Sequence, residues 1–196
     1  MISDVASIIA RHDPAAWVRT LRYRSRRELP YDPAATPPDA PLLLDATVYV
    51  DQLKGQLPGE IVALLSSRVI LHGAPALAEL AVTAGVLEPR DQRTHKTLEP
   101  ILDTLRHIPP QRIIAPSDDA WLEGAVLAGI LARTQGIAKE QRRKFLNDAL
   151  MFLTAAEADA VLVSRNTHDV DLLLQMKPGV GALLYDRKVG WPPKAA

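Results

Sequence analysis

The chain has 196 residues, 47% of them hydrophobic and 23% charged, which suits one globular domain with its own core and excludes a fibrous or wholly disordered chain. Lysine plus arginine and aspartate plus glutamate number 23 each, so no global field advertises a nucleic-acid partner and any anion binding must be local. Cysteine is absent, which excludes disulfides and thiolate metal sites; with no apolar run near the roughly 20 residues of a membrane span and no signal-peptide pattern, the expected location is the cytoplasm.

Residues 1–41 differ from the rest. Asp13-Pro14 has the form of a helix start, a capping side chain followed by proline. Arg19, Arg22, Arg24, Arg26 and Arg27 follow, interleaved with Trp17, Leu21 and Tyr23. That mixture suits either a solvated helix docked on the domain or an arm that contacts phosphates, bases or a partner. Pro30, Pro33, Pro37, Pro38 and Pro41 then predict an extended linker. The expected organisation is an arginine-rich helical leader with a proline-rich linker over 1–41, and the domain proper over 42–196.

From residue 42 the chain alternates. Strands are predicted at 42–45, 69–71, 112–115, 161–164 and 182–185. Helices are predicted at 47–53, 58–67, from Pro75 onward, 91–105 with a break before Pro100, 118–134, 139–157 and 169–176. Short apolar strands alternating with helices predict a parallel sheet with helices on both faces.

Leu42-Leu-Leu-Asp45 is the organising stretch, a buried strand ending in a carboxylate. Open α/β sheets place their sites at such strand tips. If other acids converge on Asp45, the site is that of a metal-dependent enzyme; otherwise Asp45 caps a helix. Asp148 has Phe145 and Phe152 on its own helical face, and Glu79 shares a face with Ala76, Val82 and Val86. A carboxylate on a core-facing stripe must be paired, protonated or metal-bound. Asn166 and Asp169 follow the strand at 161–164 and would open into the same crevice if that strand lies beside the first. Asn166 could equally cap the next helix.

In their order and spacing these motifs resemble the PIN-domain family: strand-Asp45 with a following hydroxyl, Glu79 in Pro-Ala-Leu-Ala-Glu-Leu, Asp148 in mid-helix, and Ser-Arg-Asn-x-x-Asp. Within it the chain is similar to the ribonuclease toxins of VapBC-type toxin–antitoxin pairs, over about residues 42–185. The resemblance implies a PIN-like three-layer α/β/α fold and a Mg²⁺- or Mn²⁺-dependent endoribonuclease. Its acids would be Asp45, Glu79, Asp148 and Asp169, with Asn166 and Thr47 assisting. It further implies an RNA substrate, a small antitoxin partner, and a homodimer. The chain departs from the family at Ala46, where a hydroxyl residue is usual, and at Val170, where phenylalanine is common. The fourth ligand therefore stays open between Asp169 and Asp171. The leader lies outside the resemblance.

Clustered carboxylates raise one another's pKa until a cation restores their charge, and oxygen-only donors favour a hard ion. Arg142, Arg143 and Lys144 precede Asp148 and Arg165 precedes Asn166, so basic groups are placed to hold flanking phosphates. His72, His95, His107 and His168 lack ligand spacing. Two other classes are weighed. A haloacid-dehalogenase-type phosphohydrolase needs a second aspartate at the position of Thr47, and a non-catalytic PIN-like RNA- or protein-binding module has no need of four acids.

Overall fold

The computed structural model describes residues 5–88 and 90–187, with the side chains of residues 92, 93, 95 and 97 outside that description. Strands β1 (Leu42–Leu44), β2 (Ile70–Gly73), β3 (Ile113–Ile114), β4 (Val161–Ser164) and β5 (Ala182–Leu184) form one sheet in the order β3-β2-β1-β4-β5. Every pairing is parallel. Helices α1 (Val5–His12), α2 (Ala46–Leu53), α3 (Gly59–Ser67), α4 (Ala74–Val86), α5 (Gln92–Arg106), α6 (Asp118–Thr134), α7 (Arg142–Glu157) and α8 (Thr167–Met176) flank it. This is the expected three-layer α/β/α arrangement.

The order explains where a site belongs. From β1 the chain winds outward through β2 to β3, then returns by α6 and α7 to place β4 against the other side of β1. The condition set by the sequence, that the first and fourth strands be neighbours, is met. Crossovers leave in opposite directions at β1 and β4, so a crevice opens beyond their carboxyl ends. Register puts Leu44 opposite both His72 and Val163. Asp45 and Ser164, the next residue on each strand, therefore emerge side by side.

Leu42, Leu43, Val161, Val163 and Leu183 are buried in the sheet, and Phe145, Phe152, Leu127 and Leu131 pack into the same core from α7 and α6. Continuous apolar strands of this kind are what a sheet covered on both faces requires. No helix among the described residues is long and apolar enough to cross a membrane.

The leader differs from its expected form. Asp13-Pro14 ends a helix rather than starting one. α1 stops at His12, and Asp13 takes a left-handed φ of 33°. The α region is disfavoured before proline, and aspartate tolerates the left-handed one. The Trp17 indole N–H then donates to the His12 carbonyl at 2.9 Å, serving one of the acceptors that a helix end leaves open. Ile8 of α1 is fully buried, and α1 packs on α6. Further on, the linker runs beside the sheet edge, where Leu184 N–H donates to the Pro30 carbonyl at 2.7 Å. Two buried carboxylates tie the leader down. Glu123 on α6 accepts from His12 Nε2 at 2.8 Å and from Lys177 Nζ at 2.6 Å, and Asp171 on α8 accepts from Arg24 N–H at 2.8 Å and Arg24 Nε at 2.6 Å.

A second difference lies in α5, which continues through Pro100 instead of breaking before it. Ile101 is buried in the core and Leu105 packs against it, so burial of an amphipathic face outweighs the hydrogen bond that proline cannot donate.

Candidate active site

Asp45 is the N-cap of α2, and its carboxylate is held on three sides. Oδ1 accepts from Ala46 N–H at 2.8 Å, and Oδ2 accepts from Thr47 Oγ1 at 2.6 Å and Ser164 Oγ at 2.7 Å. The cap and the active-site readings of the sequence thus describe one residue. The two hydroxyls are themselves fixed: Thr47 Oγ1 accepts from Arg165 N–H at 3.1 Å and Ser164 Oγ from Asn166 N–H at 2.9 Å. A short hydroxyl relay joins the tips of β1 and β4.

Above it opens a cleft of about 570 Å³, lined by Asp45, Thr47, Glu79, Lys144, Asp148, Arg165, Asn166, Thr167, His168, Asp186 and Arg187. Three of the four anticipated acids line it, from β1, α4 and α7. The fourth, Asp169, sits on the ridge beside it, where Oδ2 accepts from Asn166 Nδ2 at 2.8 Å and lies 3.5 Å from Lys144 Nζ. Asn166 occupies the N-cap position of α8, but its side chain serves Asp169 instead of the helix end. Asp171 points the other way, buried against Arg24 and Gln175. Glu79 reaches the cleft, yet its apolar helix face is not buried throughout: Ala76 is buried, whereas Val82 and Val86 are exposed.

The electrostatics follow from crowding. Burial, then the negative charges of Asp169 and Asp45, push the Asp148 carboxyl up to about 8 against the opposing effect of Lys144. Its Oδ2 is buried with no donor to accept from, and its carboxyl stands close enough to that of Asp169 for a proton on one to be shared with the other, which raises the pKa further. Burial also raises Glu79, offset in part by the bond from Asn147 Nδ2 at 3.3 Å. Burial works against the Lys144 ammonium, but the charges of Asp148 and Asp169 outweigh it and raise its pKa. The site is short of positive charge.

A divalent cation would supply it. The donors are all oxygens, and the orphaned Asp148 Oδ2 is a buried acceptor in need of a cation or a proton. Among the described residues no three acidic or histidine side chains stand close enough to close a cage. The four-carboxylate cluster expected from the sequence is thus not assembled among the described residues; an ion held here would take one or two carboxylates and complete its shell with waters, as Mg²⁺ does.

The basic groups divide. Lys144 lies one helical turn before Asp148 and lines the cleft, as does Arg165. Arg142 and Arg143 do not: both are exposed, and Arg142 lines a separate groove with Ala128, Ala132 and Leu146, as residues one and two places from Lys144 on a helix face other directions. Of the histidines, His168 lines the cleft, His72 pairs with the Tyr49 hydroxyl at 2.6 Å in a separate groove, His107 is exposed, and the side chain of His95 lies outside the described residues.

The sequence reading missed Asp51. Its carboxylate is fully buried and accepts from Arg165 Nε at 2.7 Å, Arg187 Nε at 2.8 Å and the Tyr185 hydroxyl at 3.1 Å. Both arginines bind through Nε and line the cleft, leaving terminal N–H donors to serve it. The signal was available in the form used for Asp148, since Asp51 shares the buried side of α2 with Val48. Arg187, which follows the last strand, carries no such pattern.

Comparison with known proteins finds no family model and no curated protein that matches. Solved structures do match. The FitAcB structure from Neisseria gonorrhoeae aligns with a TM-score of 0.50 at 21% identity, over 72% of this chain and 96% of that one. VapBC2 from Rickettsia felis, bound to a DNA fragment from its promoter, gives 0.50 at 16% identity over 74% and 99%. VapBC-1 from nontypeable Haemophilus influenzae gives 0.51 at 16% over 74% and 97%. At these identities the likeness establishes the fold, which is PIN-like.

Proposed function

We propose that this chain is a metal-dependent endoribonuclease that hydrolyses RNA phosphodiester bonds and acts as the toxin of a toxin–antitoxin pair. The observation that carries the reading is the buried, partnerless Oδ2 of Asp148 in a cleft it shares with Asp45 and Glu79 at the sheet's switch point. Ion-free, that arrangement costs stability, and a folded protein tolerates such a cost where function uses it.

Asp45 and Asp148 are the principal candidates to hold Mg²⁺ or Mn²⁺, with Glu79 beside them. Such an ion, when bound, supplies charge stabilisation for a phosphoryl oxygen and lowers the pKa of a water. Thr47 and Ser164 orient the Asp45 carboxylate by donating to its Oδ2. Glu79, whose pKa burial has already raised, is suited to accept the proton of the attacking water. Asn166 holds Asp169 in place through its amide. Lys144, Arg165 and Arg187 hold the phosphates on either side of the scissile one. Protein partners follow from the same reading: the FitAcB and VapBC likenesses support an antitoxin partner, and we place it over the acidic cleft.

The test is cleavage of total RNA by the purified protein with Mg²⁺, Mn²⁺ or EDTA, beside Asp45→Asn. Cleavage that requires metal and is lost in a variant with an unchanged circular dichroism spectrum is expected. Metal-dependent cleavage retained by Asp45→Asn would overturn the assignment.

A further inference from the structure

A second cavity of about 320 Å³ adjoins the cleft, of a size at the lower end of ligand-sized pockets. Its wall includes Tyr23 of the leader, Gln135, Gln141, Lys144, Phe145 and Asp169. Lys144 lines both spaces. Asp169 faces the cavity while its carboxylate is bonded to Asn166 of the cleft. The two spaces are thus separated only by the Lys144–Asp169 ridge.

We infer that this cavity is a nucleobase subsite, built by the leader and the loop after α6, for the base of a single-stranded RNA whose phosphate lies in the cleft. The inference rests on the ribonuclease reading of the cleft and adds what selects the RNA. Three features meet there. Tyr23 is 49% exposed and its ring stands perpendicular to that of His168 of the cleft, with centroids 4.9 Å apart and an interplanar angle of 88°. An aromatic ring held in the open beside a phosphate site is the platform on which an unstacked base settles. Gln135 lines the cavity, and its Nε2, shielded from solvent without a hydrogen-bond partner, meets the edge of a base once the amide turns toward the cavity. Lys144 stands between base and phosphate, where a cation can meet the backbone.

The leader thereby acquires a reason to be docked so firmly. Arg24, the residue after Tyr23, gives both its backbone N–H and its Nε to the buried Asp171, which fixes where Tyr23 stands. Arg26 pairs with Asp186 of the cleft and lies over the Tyr31 ring at 3.8 Å. The Tyr31 hydroxyl is 2.8 Å from Thr167 Oγ1, so the segment follows the cleft rim on the same side.

The experiment uses the full chain in EDTA, with fluorescence anisotropy on short homopolymer RNAs of adenosine, cytidine or uridine. Tyr23→Ala is expected to weaken binding about tenfold, within what loss of one aromatic–base stack causes, and Tyr23→Trp to restore it. Gln135→Leu is expected to change the ranking of the three RNAs while leaving the salt dependence as in the parent, because the amide contacts no phosphate. Parent-like binding by Tyr23→Ala, or an unchanged ranking in Gln135→Leu, overturns the inference, as does a parent protein that binds none of the RNAs. Cleavage is scored separately. Metal-dependent cleavage that Tyr23→Ala leaves untouched in rate and sequence choice removes the subsite and keeps the ribonuclease. Binding through Tyr23 with no cleavage under any metal keeps the subsite and removes the ribonuclease.

Discussion

Replacing Asp51 with asparagine takes one charge out of the interior at nearly constant size. The native carboxylate holds two guanidinium groups at 2.7 and 2.8 Å and the Tyr185 hydroxyl at 3.1 Å. Removing one partner of a buried ion pair costs about 3–5 kcal/mol when the survivor stays dry. Here the side chains of Arg165 and Arg187 are 32% and 41% exposed, so both can rehydrate, and the asparagine oxygen still accepts one bond. The lower end applies, about 3 kcal/mol, equivalent to a fall in melting temperature of about 6–12 °C for a domain of this size. Function separates two effects of the same change. The cleft becomes more positive by one charge, which favours RNA encounter at low salt. The arginines lose their anchor, which, on the proposed function, misplaces the phosphates they would hold. Single-turnover cleavage should show kcat down by about ten- to hundredfold with KM unchanged or lower at low salt. A melting temperature within about 2 °C of the parent, or a raised KM with kcat intact, would refute the positioning role.

Three further outcomes are expected. Burial pushes the Glu123 carboxyl up, but hydrogen bonds from His12 and Lys177 outweigh it and hold its pKa at about 2, down from 4.5. A depressed carboxylate stabilises fully above its unfolded value, so between about pH 4.5 and 2 the chain loses about 2–3 kcal/mol, after a discount for solvent at Lys177. Acid titration of Glu123→Gln by circular dichroism should lack that step. Asp148 has the opposite sign: its raised pKa makes ionisation unfavourable in the folded state, so metal-free stability falls as pH rises from about 4 toward 8. The melting temperature should decline over that window, decline less in Asp148→Asn, and recover with Mg²⁺ most strongly near pH 8. At Gly73 an added Cβ would lie 2.5 Å from Met151 Sδ and 2.7 Å from Cε. Because these atoms are the far end of a flexible side chain, Gly73→Ala should cost only about 1 kcal/mol in urea melts, and in a double-mutant cycle that cost should shrink in the Met151→Ala background, although Met151→Ala itself destabilises.

What the sequence disclosed and what it withheld divide along the range of the interactions. The sheet was legible because Leu42–Leu44 and the first three residues of Val161–Ser164 are apolar throughout, which a strand covered on both faces requires. Asp45 was legible because a charge ending such a run stands out locally. The convergence of Glu79 and Asp148 on it is a property of three elements separated in sequence, inferred from misplaced charge and realised by the packing of α4 against α2 and α7. Arg142 and Arg143 failed as cleft residues because a run of basic residues says nothing about direction, whereas the four-residue step from Lys144 to Asp148 does.

The leader shows the limit most clearly. Asp13-Pro14 is compatible with the start of a helix and with the end of one, and the dipeptide alone does not choose. What chooses is Glu123, more than a hundred residues away in the chain. Buried on α6, it needs a cationic or hydrogen-bonding partner. His12, at the last turn of α1, supplies one at 2.8 Å. The same logic accounts for Asp171, which has the spacing of a metal ligand and the surroundings of an anchor: Arg24 closes on it with two bonds. A buried carboxylate announces that something must neutralise it. Whether that is a divalent ion, as proposed for the cleft, or an arginine from the other end of the chain is decided by what the fold brings within hydrogen-bond reach.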